Sequence, residues 1–178
     1  MIWDELETGL AQLTADGLLR RRRTLDAPCG PEAVIEDRRV IAFCSNDYLG
    51  LANQPALVTA TQDAAAHWGV GSGASHLISG HSRAHALLED DLADMFSPHL
   101  PEVRALTFST GYLANLALLT ALGDEGCSTY SDVLNHASLF DAARLAKAAA
   151  YTWPHHDLAG LERRLAACKT PRKLIVTD

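Results

Sequence analysis

The sequence predicts an α/β protein: a leading helix and hairpin, then a mostly parallel sheet flanked by helices. Three observations carry that prediction. From Val103 onward, short apolar strands alternate with helical stretches: RALTFS, YLANLALLTALG, CSTYS, HASLFDAARLAKAAA, AYTW and KLIVT. Such alternation marks βα units and a parallel sheet. Before Val103 the apolar residues recur at helical spacing, and one short segment alternates like a hairpin. The composition, 48% hydrophobic and 21% charged over 178 residues, suffices for one sizeable buried core.

Ile2, Leu6, Leu10 and Leu13 share a helical face, so residues 2–19 read as an amphipathic helix running into the arginines at 20–23. Residues 33–44 read as a hairpin around a charged turn, followed by the polar loop SNDYLG at 45–50. Pro55 suits a first helical turn and Gly69 an end, which predicts a helix over 55–68. A glycine-rich loop, GVGSGASHLISG, fills 69–80. Ser82 caps the next helix, with Leu88, Leu92, Met95 and Phe96 on one face, Glu89, Asp90 and Asp91 in water, and Pro98 and Pro101 ending it. Asp157 caps a last helix carrying Leu158, Leu161 and Leu165 in phase, and KLIVT closes as a buried strand. An N-terminal segment over 1–50 and a major unit over 51–178 are the expected divisions.

Composition excludes some functions. A net charge of -7 argues against coating nucleic acid or an anionic membrane, since both demand a basic surface. Cys29, Cys44, Cys127 and Cys168 form no CxxC pair, which fits a reducing cytoplasm better than a disulfide framework. The start, MIWDELETGL, carries acids where a signal peptide carries positive charge, and no apolar run reaches membrane-spanning length.

Three segments have the means for chemistry. In FSTGYLAN at 108–115 a strand turns into a helix through Gly111; the unpaired amides and positive dipole end there suit a phosphate. Simple capping by Ser109 and Thr110 explains that stretch equally well. In SDVLNHAS at 131–138, His136 follows a strand and can lie over a ring, bind substrate or shuttle protons; helix capping by His136 or Asn135 is the simpler account. Gly69-x-Gly71-x-x-Ala74 has glycine spacing close to a dinucleotide site but follows a helix, so the context for pyrophosphate is missing. The arginine run reads first as a solvated face, although one member suits an anionic substrate. His81 and His85 have the i, i+4 spacing of a zinc pair, yet no HExxH or third ligand accompanies them, so metal is not expected. His155 and His156, being adjacent, are expected to point apart.

Together FCSNDYLGLA (43–52), GVGSGASHLISGHSRAHALLEDDLA (69–93), FSTGYLAN (108–115) and SDVLNHASLFDAARLA (131–146) resemble the α-oxoamine synthases, enzymes of aspartate-aminotransferase-like fold type I that use pyridoxal 5′-phosphate. The resemblance spans essentially the whole chain. It implies that Gly111 and Tyr112 lie in the turn holding the cofactor phosphate, that His136 stacks on the pyridine ring and contacts substrate, and that Arg21 helps bind the acyl substrate. Asn46 and Tyr48 would approach the active site across a homodimer interface. SGHS at 79–82 and TGYLAN at 110–115 point to condensation of L-alanine with a pimeloyl thioester, giving 8-amino-7-oxononanoate in biotin biosynthesis. Glycine C-acetyltransferase and 5-aminolevulinate synthase are the alternatives within the family. The family's cofactor-anchoring lysine matches none of Lys147, Lys169 and Lys173, so the resemblance implies an incomplete major domain and a chain inactive by itself. A non-catalytic binding module and a nucleotide-binding α/β domain are the rival readings.

Overall fold

The computed structural model describes residues 1–178, which divide into two compact units, Met1–Gly73 and Ala74–Asp178. In the first unit, α1 runs over Ile2–Ala15. It stops short of residue 19 because Gly17 adopts a left-handed φ of 68°. The hairpin pairs β1 (Glu32–Ile35) with β2 (Arg38–Ile41) in antiparallel register, Ile35 opposite Arg38. The two linking residues, Glu36 and Asp37, both take positive φ (50° and 62°), as a two-residue hairpin turn requires. Leu25 bridges to Ile35, laying the segment after the arginine run beside β1. The expected helix appears as α2, Pro55–Trp68, with the Gln54 side chain accepting from the Ala56 amide and Gly69 at the C-cap.

The second unit opens with one turn of π-helix, His76–Gly80. Gly80 is required there: a Cβ would collide with the Ala74 carbonyl and lie 2.9 Å from the Ser75 oxygen. Ser82 caps α3 (Arg83–Phe96) in a reciprocal box with His85. Leu92 is half-buried, but Leu88, Met95 and Phe96 of the same face are exposed. The expected strand RALTFS does not form; residues 101–108 belong to no ladder. A strand exists only by pairing, and here the Thr107 amide and hydroxyl both donate to Glu89 Oε1 at 2.9 Å. Glu89, expected in water, is therefore the partner of that segment, and the Thr107 bonds hold its carboxyl below the usual range.

Next come α4 (Gly111–Leu122), β3 (Cys127–Asp132), α5 (Ala137–Leu145), β4 (Ala149–Trp153), α6 (Leu158–Ala167) and β5 (Arg172–Val176). The strands are parallel in the order β4-β3-β5. Right-handed crossovers then dictate helix placement: β3-α5-β4 steps one way and β4-α6-β5 steps back, so α5 and α6 cover opposite faces. The packing agrees. Leu119 of α4, Ala142 of α5 and Val176 form one core with Leu116, Leu139 and Leu174; Tyr130, Trp153 and Leu161 of α6 form the other with Leu165 and Cys168. Central β3 is buried along its whole length, serines included. Thr129 Oγ1 and Trp153 Nε1 are buried without partners. All four cysteines are free, and no helix is long and apolar enough to cross a membrane.

Candidate functional site

In an open parallel sheet ligands gather where strands end and helices begin, and most readily where the strand order reverses. β3 is such a place, because its chain neighbour β4 lies on one side and β5 on the other. Beyond its carboxyl end, residues 133–136 turn into α5. Asp132 shapes the turn: its Oδ1 accepts the Leu134 amide at 2.8 Å and its Oδ2 meets His155 Nδ1 at 2.8 Å. The Leu134 amide, seconded by His155, keeps the Asp132 carboxyl below its ordinary range against the opposing effect of burial. The rings of His155 and His156 do not point apart but touch, centroids 3.8 Å apart. The left-handed φ of His156 (65°) turns the backbone so that both rings fall together.

Asn135 and Asp178 fasten this turn to the end of β5. The Asn135 amide donates to the Val176 carbonyl at 2.8 Å, and the Asp178 amide donates back to Asn135 Oδ1 at 3.0 Å. The His136 amide in turn donates to Asp178 Oδ2 at 3.2 Å. His136 sits at the N-cap of α5, where its Nδ1 accepts from the Ser138 amide at 3.2 Å and lies 2.8 Å from Ser138 Oγ. The capping role foreseen from spacing is thus real, and it fixes the ring while leaving the residue exposed.

The start of α4 is tied to the same place. Asn115 Nδ2 donates to Ser138 Oγ at 2.8 Å, and the Tyr112 hydroxyl donates to Asp141 Oδ2 at 2.8 Å. That carboxylate pushes the Tyr112 phenol above its ordinary pKa. Thr110 caps α4 by accepting from the Leu113 amide, whereas the amides of Gly111 and Tyr112 meet no acceptor in the chain. A Cβ on Gly111 would have nothing within 4 Å, so the chain leaves room beside that residue. Two free donors at the positive, exposed end of a helix fit a phosphate. Thr110 therefore caps α4, and the next two amides stay free.

The structure therefore joins α4, which begins with Gly111 and Tyr112, to α5, which His136 caps, through the Asn115–Ser138 and Tyr112–Asp141 hydrogen bonds. Asn115, Ser138, Asp141 and Asp178, which tie them, are residues that motif reading missed; their polar side chains facing an apolar helix pair were the only hint. Arg21 lies in the other unit, exposed, and lines an open groove with Arg22, Arg23, Arg38, Val40 and Phe43. Asn46 and Tyr48 are exposed in a turn organised by Asp47, whose carboxylate accepts the Leu51 and Ala52 amides. Lys147 and Lys169 precede β4 and β5, and Lys173 is the second residue of β5, so all three mark the amino edge of the sheet, opposite His136.

The profile of the family described as Aminotransferase class I and II matches residues 38–178. The 8-amino-7-oxononanoate synthase of Leptothrix cholodnii is 54% identical over 186 residues, covering 100% of this chain and 46% of the relative. That of Polaromonas naphthalenivorans is 55% identical over 183 residues, covering 100% and 45%. The chain thus spans less than half the length of these curated relatives. Among solved structures, a serine palmitoyltransferase from S. paucimobilis with bound PLP-myriocin aldimine superposes with a TM-score of 0.83 at 26% identity, covering 97% of this chain and 43% of that one.

Proposed function

We propose, from the premise that this chain belongs to the aminotransferase class I and II family, that it is the N-terminal part of a pyridoxal-phosphate-dependent, decarboxylating C-acyltransferase. The reaction is condensation of L-alanine with a pimeloyl thioester to 8-amino-7-oxononanoate, with loss of carbon dioxide and free thiol carrier, in biotin biosynthesis. The names of the relatives at 54% and 55% identity support that substrate pair. The observation that carries the reading is the junction of the two free amides at the start of α4 with a hydrogen-bonded His136 at the carboxyl edge of the sheet.

Pyridoxal phosphate, when bound, supplies an electron sink for the substrate carbanion. The chain's own residues do the rest. Gly111 and Tyr112 hold the phosphate through backbone N–H groups, with the α4 dipole favouring its charge. His136, locked by Ser138 and carried on a turn clamped to the end of β5, would hold the cofactor ring and orient the substrate. Arg21, lining its open groove, meets the acyl substrate. The anchoring lysine is none of the three at the amino edge and is supplied by another part of the polypeptide. We extend the reading to a cytoplasmic homodimer whose active site lies at the subunit interface near Asn46 and Tyr48.

The test is the gene product at its encoded length, loaded with pyridoxal phosphate and assayed for alanine-dependent release of thiol from pimeloyl thioester. Turnover is expected, reduced about 100-fold or more by His136→Ala. Activity with glycine and a short acyl thioester instead would move the protein to another α-oxoamine synthase. Unchanged kinetics of His136→Ala would remove that residue from the mechanism.

A further inference from the structure

We propose that Asn115 and Ser138 are positioning residues that hold His136 as the Nε2–H tautomer, leaving Nδ1 bare and turned inward. The hydrogen-bond directions lead there. A backbone amide can only donate, and the Ser138 amide points at His136 Nδ1 from 3.2 Å, so Nδ1 must accept. The Ser138 hydroxyl, 2.8 Å from the same nitrogen, is satisfied when it donates as well. Its own lone pair is taken by Asn115 Nδ2, a donor at 2.8 Å, which frees the hydroxyl proton for the imidazole. The orientation of the Asn115 amide follows from this chain, because the reversed amide would compete for that proton.

Ser138 is 0% exposed, so water cannot replace either bond. A neutral imidazole carries one proton; with Nδ1 accepting, it sits on Nε2, the nitrogen with no protein partner. The outward atom is therefore a donor, suited to an acceptor oxygen and unsuited to an ammonium or amide N–H. The relay also spans two helices: Asn115 belongs to α4, the helix whose first two amides have no acceptor in the chain, and Ser138 to α5. Ring orientation and the phosphate turn are thereby joined. The catalytic meaning of this lock rests on the proposed function, whereas the tautomer does not.

The experiment is long-range 1H–15N correlation of the full chain labelled with 15N-histidine, at neutral pH without cofactor. His136 is expected to show a pyridine-type Nδ1 and a pyrrole-type Nε2. Asn115→Asp offers a carboxylate that takes the Ser138 hydroxyl proton, so Nδ1 keeps the Ser138 amide as its one donor: Nε2–H persists, and the Nδ1 resonance moves toward that of a less hydrogen-bonded pyridine-type nitrogen. Asn115→Ala leaves the hydroxyl free to donate and keeps Nε2–H. An Nδ1–H wild type overturns the proposal whatever the variants do, as does a folded Asn115→Asp chain with the wild-type spectrum. In the gene product at its encoded length, Ser138→Ala is expected to lower kcat about tenfold with pyridoxal phosphate affinity within about twofold; unchanged kcat would reduce the pair to a structural role and overturn it. Nε2–H in a protein that fails to bind pyridoxal phosphate would defeat the functional reading and leave the tautomer standing.

Discussion

Replacing Asn135 by Ala measures how firmly the His136 turn is held to the sheet. The β3–β5 ladder ends with Ser131 opposite Val176, and the Asn135 side chain continues it by donating to the Val176 carbonyl and accepting from the Asp178 amide. Alanine deletes both bonds. The two stranded groups differ: Val176 is buried, so its carbonyl loses its partner in a dry site, whereas Asp178 is exposed and its amide turns to water. One bond exchanged with water costs about 1 kcal/mol and a buried stranded carbonyl about 1–3, giving roughly 2–4 kcal/mol. With a urea slope of about 2 kcal/mol/M, the midpoint falls by roughly 1–2 M. Urea denaturation followed by tryptophan fluorescence reads it, and amide exchange should rise at His136 and Asp178 while the α6 core stays protected. A midpoint lowered by less than about 0.3 M, or exchange rising evenly throughout, would show that the helix pair alone positions the turn.

Two further outcomes follow from the charges and the thiols. Asp132 has its carboxyl lowered first by the Leu134 amide and then by His155. Its stabilisation is present above the ordinary carboxylate pKa and is lost as pH falls through the lower folded value, so Asp132→Asn should flatten the acid limb of stability below about pH 4. Chemical denaturation across that range checks it, and a wild-type acid limb in the variant would contradict it. The Thr170 hydroxyl, with those of Tyr130 and Ser128, draws the Cys168 thiol down to about 6. Iodoacetamide at neutral pH should label half-buried Cys168 faster than exposed Cys44, and Thr170→Val should abolish that lead; mass-mapped labelling rates that ignore the substitution would refute it.

Much of the second unit was legible because its signals are local. Ser82 and Asp157 stand at the N-caps of their helices as read, Asp157 accepting the Gly160 amide and Ser82 pairing its hydroxyl with His85 Nδ1 in the first turn. Pro55 and Gly69 bound α2 because proline and glycine restrict the backbone wherever they stand. The strand CSTYS could be read despite its hydroxyls because helical stretches bracket it; as the central strand its serines are buried. RALTFS has equal β character but no ladder, since pairing depends on a neighbour that local sequence does not specify. Glu89 follows the same logic: helical phase put it in water, and Thr107, eighteen residues on, gave it a partner.

The candidate site divides likewise. Glycine at 111 and histidine at 136 were visible because each stands where a helix begins, Gly111 as the first residue of α4 and His136 as the N-cap of α5. Asn115 and Ser138 were not, because asparagine inside a helix and serine in a first turn have many uses, and only the packing of α4 on α5 puts them 2.8 Å apart. By itself, then, the sequence determined the α/β alternation from Cys127 onward, the caps and the residues that open the helices, all of which arise from interactions a few positions apart. The tertiary structure decided the strand order, the partner of Glu89 and the direction of the protons around His136. Those depend on groups far apart in the chain, whose meeting no local pattern encodes.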